Sequence, residues 1–293
     1  MKQYSWPAGQ RCVAFFSVHF DAESFDLKTA GGNSLFGRYS YGRYGIRAGF
    51  PRLMELFDRL QINATFFVPA SDARRHTDLI RTLIDQGHEL AARGVDLEDL
   101  DTLGDKELPV LKDSRDILAD IAGAAPVGFR APRGAVSPRT LNYLAELGFI
   151  YDSSFQDADY PYLIATTADK PIVEIPTNAA LEDAPAYSAR HPHTRVIQIW
   201  RDEFVANYEE GVMVPIISHL RGDIGSTRAA RIAALEGLLK EMQGHDGLSF
   251  MTGRQLAEHT LSLGLEAEPD PLAAHLATLH VTPYRGDLSV KPI

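Results

Sequence analysis

A mainly parallel α/β sheet closed into a barrel is the fold this sequence predicts, and three observations predict it. Short apolar runs rich in β-branched and aromatic residues alternate with segments of helical apolar spacing from Gln10 to Leu261. Polar residues able to do chemistry gather where those runs end, at His19, Asp21, Arg93, Arg130 and His219, and strand ends are where (β/α) barrels carry their sites. No linker-like stretch divides the chain, so residues 1–263 are expected to form one domain. Residues 264–293, with four prolines and little periodicity, then form an extension over the surface or onto a neighbouring subunit.

The elements follow in order. Gln10 to Phe20 reads as a buried strand, and if the strand persists, His19, Asp21 and Glu23 share one face while Val18, Phe20 and Ala22 pack behind it. One imidazole and two carboxylates on a buried face are costly unless that face opens on a cleft. Asp26 to Gly45 has no clear period and reads as a long loop, with Gly-Arg-Tyr repeated at residues 37 and 42, suited to a flap that contacts substrate or a subunit. Phe50, Leu53, Met54, Phe57 and Leu60 mark a helix, Ala64 to Pro69 a strand, and Asp72 to Gln86 one helix stopped by Gly87. His88 to Arg93 is a short strand, Asp105 to Ile121 a helix, Val127 to Arg130 a strand, and Ser137-Pro138 a helix start. Phe149 to Tyr151 and Ile172 to Pro176 are strands, and Thr177 to His193 is irregular. Arg195 to Glu210 is a helix with Trp200 and Phe204 on one face, and Val212 to Ile217 a strand leading to His219. A helix from Arg228 to Met242, a strand from Leu248 to Met251 and a helix from Gly253 to Leu261 complete the pattern.

The bulk numbers narrow the partners. The chain has 293 residues and a formal charge of −10, from 39 acidic and 29 basic side chains, so nothing draws it as a whole to nucleic acid or an anionic membrane. With no charged leader ahead of an apolar segment and no run long enough to span a bilayer, a cytoplasmic protein is expected. Its lone cysteine, Cys12, excludes an internal disulfide and a thiolate zinc cluster, and reads as buried filler.

The ordered segments Phe-Ser-Val-His-Phe-Asp-Ala-Glu from Phe16, Ala-Thr-Phe-Phe-Val-Pro from Ala64, Gly-His-Glu-Leu-Ala-Ala from Gly87, Gly-Phe-Arg-Ala-Pro-Arg-Gly from Gly128 and Tyr-Asp-Ser-Ser from Tyr151 resemble the polysaccharide deacetylase family. The likeness runs from Trp6 to His259 and is strongest to the intracellular branch of peptidoglycan-deacetylase-like proteins, cyclic imidases and allantoinase-like enzymes. It implies a distorted (β/α) barrel of seven strands, often a homotetramer. It also implies amide hydrolysis by a divalent metal on one Asp and two His, with a separate Asp as base and a His as acid. Matching the motifs puts His19 where the base stands, Asp21 where the metal Asp stands and His219 where the acid stands. The expected His-Gly-x-x-His reads Arg93-Gly94-Val95-Asp96-Leu97, so both metal histidines are replaced.

Arg93 carries a permanent positive charge to a former ligand position, and a guanidinium can offset Asp21 but cannot lower water's pKa as a metal does. Three readings stay open. In the first, a cofactor-free, metal-independent enzyme cleaves a non-peptide C–N bond of a small amide, ureide or cyclic imide. His19 is then base and His219 acid, Arg93 and Arg130 hold a carbonyl, and Glu23 and Trp200 contact substrate. In the second, His19 and Asp21 with Glu23 or His219 form a rewired metal site. In the third, the fold survives only as a binding or scaffold subunit.

Overall fold

The computed structural model describes residues 4–29, 35, 37–168 and 170–269. Gly31-Gly32 and the tail beyond Pro269, on which parts of the flap and extension expectations fall, lie outside the described residues. Among the described residues nine strands form one sheet: β1 Cys12–His19, β2 Thr65–Val68, β3 Glu89–Ala92, β4 Gly128–Phe129, β5 Tyr151–Asp152, β6 Tyr162–Ile164, β7 Ile172–Glu174, β8 Val214–His219 and β9 Leu248–Phe250. Its order is β6-β7-β5-β4-β3-β2-β1-β8, with β9 paired to the start of β1. All neighbours are parallel except β6 against β7. Apart from β6 the described strands run parallel, eight in all, the distorted (β/α) barrel expected with one strand more than the seven anticipated. Outside the named strands, Glu182 makes a parallel bridge to Ile217 of β8.

Among the described residues eleven α-helices surround the sheet: α1 Glu23–Thr29, α2 Tyr41–Tyr44, α3 Phe50–Leu60, α4 Ala70–Arg75, α5 Thr77–Asp85, α6 Glu107–Ala122, α7 Thr140–Glu146, α8 Asp183–Ser188, α9 His193–Glu210, α10 Ala229–Gln243 and α11 Gly253–Ser262. The side-chain alternation of β1 divides the core into two layers. Cys12, Ala14, Phe16, Val18, Phe20 and Ala22 pack outward with the apolar stripes of α3, α5 and α10. Val13 and Phe15 face inward with Phe67, Ala91, Tyr151 and Val173, and Leu256 and Ala257 of α11 pack with them. Beside α11, buried Glu89 accepts hydrogen bonds from Thr65, Tyr151 and the Arg254 backbone, so the interior carboxylate is satisfied.

Four local expectations change. The single helix from Asp72 is two, because His76 leaves helical geometry between α4 and α5. The helix expected at Ser137 begins at Thr140, since Ser137 Oγ instead accepts the Arg139 N–H and donates to Glu107. The stretch read as a loop, Asp26 to Gly45, holds the end of α1, whose entry is fixed by Asp72 accepting the backbone N–H groups of Ala22 and Ser24, and all of α2. Lastly, α8 lies inside the stretch read as irregular.

Candidate active site

The C-terminal ends of the strands deliver the polar side chains to one cavity of about 270 Å³. His19 comes from the end of β1, Arg93 from just beyond β3, Arg130 from just beyond β4, Ser153 from just beyond β5 and His219 from the end of β8. Because β1 and β8 run parallel with His19 opposite His219, the two imidazoles meet: His19 Nδ1 lies 2.9 Å from His219 Nε2.

The hydrogen bonds form a directed chain. Arg130 can only donate, and its Nη1 lies 3.2 Å from His19 Nε2, so that nitrogen is bare and the ring proton sits on Nδ1. His19 Nδ1–H then donates to His219 Nε2, and His219 Nδ1–H donates over 2.7 Å to Asp183 Oδ1. Burial lowers the His19 pKa well below its ordinary 6.5, and the charges of Arg93, His219 and Arg130 push the same way. Burial also lowers that of His219, but the hydrogen bond and charge of Asp183 outweigh it and leave the value raised. Of this coupled pair, His219 takes a proton first.

Asp21 sits 3% exposed, its Oδ1 2.8 Å from Arg93 Nε and its Oδ2 3.2 Å from Arg93 Nη2. Burial alone would raise its pKa, but the charges of Arg93 and His219 and the Arg93 hydrogen bond bring it below the usual carboxylate range. The remaining guanidinium nitrogen, Arg93 Nη1, is buried without a hydrogen-bond partner, on a side chain that lines the cavity. Arg130 differs: its N–H groups go to the Ser153 carbonyl and hydroxyl, Ser17 Oγ and His19, and its guanidinium lies over Phe67. It orients His19 and is already engaged where a substrate-holding role was expected.

Two expected substrate contacts are corrected. Since β1 ends at His19, the alternation stops there, and Glu23 starts α1 with its carboxylate 2.6 Å from His76 Nε2, outside the residues that line the cavity. Trp200 is 1% exposed on the packed face of α9 and borders a different hollow with Ala179, Pro185 and His191.

Sequence reasoning missed Glu182 and Asp183. Asp183 is fully buried, and its Oδ2 accepts from Ser218 Oγ, the His219 N–H, and both N–H and Oγ of Ser226. Glu182 lines the cavity with Oε1 3.8 Å from His219 Nε2. The acidic pair in sequence was the available signal, but nothing local tied it to His219.

Ligand atoms of His19, Asp21 and His219 all lie within 4.8 Å of one another, the residue types of a divalent-metal centre. The arrangement does not fit one. Zinc–nitrogen bonds of ~2.0–2.1 Å hold tetrahedral donors roughly 3.3 Å apart, with bare nitrogens aimed at the ion. Here the facing nitrogens are 2.9 Å apart around a proton, and both Asp21 oxygens are gripped by a cation.

Residues 39–151 match the family model described as polysaccharide deacetylase. The chain is 27% identical over 280 residues to a peptidoglycan deacetylase of Helicobacter pylori, covering 84% of this chain and 95% of that one. A solved candidate polysaccharide deacetylase from Mycobacterium smegmatis is 34% identical, with a TM-score of 0.83 over 90% of this chain and 95% of its own. The structure of PuuE allantoinase is 25% identical, with a TM-score of 0.78 over 88% and 92%.

Proposed function

This chain belongs to the polysaccharide deacetylase family, and we propose that it is a metal-independent hydrolase of a non-peptide C–N bond in a small amide, ureide or cyclic imide. The observation that carries this is Arg93, which holds Asp21 by two nitrogens, both side chains lining the cavity that also contains His219. Arg93 Nη1 donates to the substrate carbonyl oxygen and stabilises it as it becomes an oxyanion. His219, whose imidazolium is stabilised by Asp183, protonates the leaving nitrogen. His19, expected from the sequence as the base, has both ring nitrogens bonded, to Arg130 and His219, and in this reading fixes the position of His219 instead. The named activities of the relatives, deacetylation and allantoin chemistry, are both hydrolysis at an amide-type C–N bond, which supports the reaction class.

The test is a screen of small amides, ureides and cyclic imides with untagged protein in excess chelator. Turnover is expected to persist, and to fall by about 10²–10⁴-fold in His219→Ala with the fold retained. Turnover that vanishes in chelator and returns with zinc would replace this reading by metal-dependent deacetylation. No turnover of any compound would leave a binding protein.

A further inference from the structure

The hydrolysis proposed above needs a group that deprotonates water, and we infer that this group is Glu182. The inference rests on that reading of the site and follows from which acceptors are open. Asp183 Oδ2 takes four donors and Oδ1 takes His219. Both oxygens of Asp21 already accept from Arg93, whose cation makes that carboxylate a poorer proton acceptor, and both ring nitrogens of His19 are occupied. Among the described residues that line the cavity, the Glu182 carboxylate is an acidic group with no hydrogen bond to any described residue. Its side chain is 22% exposed, enough to meet water.

Its placement is built into the fold. Glu182 lies between the short 3-10 turn Ala179–Leu181 and α8, in extended conformation, and its backbone makes the bridge to Ile217 that joins this segment to β8. That bridge fixes the carboxylate beside the strand that ends in His219. The next residue, Asp183, anchors His219 from behind, so one two-residue step supplies both the group that meets water and the group that stabilises the histidine.

The proton balance closes. Glu182 takes a proton from water as the water oxygen bonds to the carbonyl carbon, and the carbonyl electron pair moves onto the oxygen held by Arg93 Nη1. Glu182 Oε1, 3.8 Å from His219 Nε2 at rest, closes to hydrogen-bond distance and passes the proton to that nitrogen, which gives up its contact with His19. When the C–N bond breaks, its electron pair leaves with nitrogen and His219 returns the proton there. Glu182 and both histidines end as they began.

The experiment uses the full chain and the best compound of the chelator screen, with hydantoin, succinimide and acetamide as first probes. Glu182→Gln should lower kcat by about 10²–10⁴-fold while KM stays within about threefold. Glu182→Ala should regain turnover when formate is added, because a small carboxylate can occupy the vacated place. Wild-type turnover with Glu182→Gln within about threefold of it, or no formate rescue of a folded Glu182→Ala, overturns the assignment and leaves the hydrolase reading standing. Absence of turnover in the wild type removes the hydrolase reading and the role of Glu182 with it. Should Glu182→Gln fail to fold, the rescue of Glu182→Ala, and an intermediate kcat in Glu182→Asp, decide the matter.

Discussion

Arg93 grips Asp21 with Nε and Nη2 at 2.8 and 3.2 Å, and both side chains are nearly closed to solvent. Such a pair contributes little net stability, because desolvating both ions offsets their attraction, yet breaking it leaves one buried charge unpaired. Arg93→Ala and Asp21→Asn should each cost about 3–5 kcal/mol, read from urea midpoints. The double variant Arg93→Met/Asp21→Asn should recover much of that loss. Equal midpoints for wild type and Arg93→Ala would mean that the pair has no structural weight.

The histidine chain predicts protonation states directly. His19 should be the neutral Nδ1–H tautomer at pH 7, visible in imidazole nitrogen shifts, because Arg130 faces its other nitrogen. His219 has a raised folded pKa, so its stabilising contribution is present below the unfolded value of 6.5 and lost as pH rises through the folded one. Asp183→Asn should lower the His219 pKa and remove that loss. A His219 that titrates identically in both proteins would show that Asp183 does not govern it.

How far this site could be read in the sequence follows from where local pattern ends. Alternation along β1 correctly set His19 inward and Val18 outward, while Asp21 reaches the cavity and Phe20 and Ala22 join the outer layer from beyond the strand's end, where no strand dictates it. It failed at Glu23 because Asp72, fifty residues away, holds the backbone that starts a helix there. Trp200 obeyed helical spacing, but spacing names a packed face without saying which cavity it borders. Glu182 and Asp183 gain their meaning from the bridge to Ile217 and the bonds to Ser218, His219 and Ser226, none of which has a local signature. The short helices α1 and α8, of 7 and 6 residues, are too brief to display a period.

His88 gives an acid-side prediction. It is 6% exposed beside Phe57 and Phe66, and its Nδ1 accepts the Ala64 N–H at 3.1 Å. Burial lowers its pKa from 6.5 to about 4, so between those values the unfolded chain binds a proton that the folded chain refuses. Stability should therefore fall as pH drops from 6.5 towards 4, by at most about 3 kcal/mol from this group. His88→Asn, which keeps an acceptor for Ala64, should flatten the slope across that interval. An unchanged slope in a folded variant would assign the acid sensitivity elsewhere.

The opposite slope should come from the two carboxyl groups facing each other across β5 and β7. Asp152 and Glu174 are directly paired in the sheet and fully buried. Glu174 Oε2 is buried without a hydrogen-bond partner, and two buried carboxyl groups side by side favour one of them keeping its proton. Burial, then the charge of Asp152, raise the Glu174 pKa well above its ordinary 4.5. A raised folded value in an acid means the folded chain holds a proton that the unfolded chain has released, so stability is lost as pH rises from about 4.5 through the folded value. Glu174→Gln supplies a permanent N–H for Asp152 and keeps Oε1 to accept the Phe155 N–H, now 3.0 Å away. Its urea midpoint should match the wild type near pH 4.5 and exceed it by a growing margin towards pH 8. The difference between the two proteins isolates this pair from the titration of His219 and Asp21, which both retain. A margin that stays constant with pH would mean that the pair does not share a proton in the folded state.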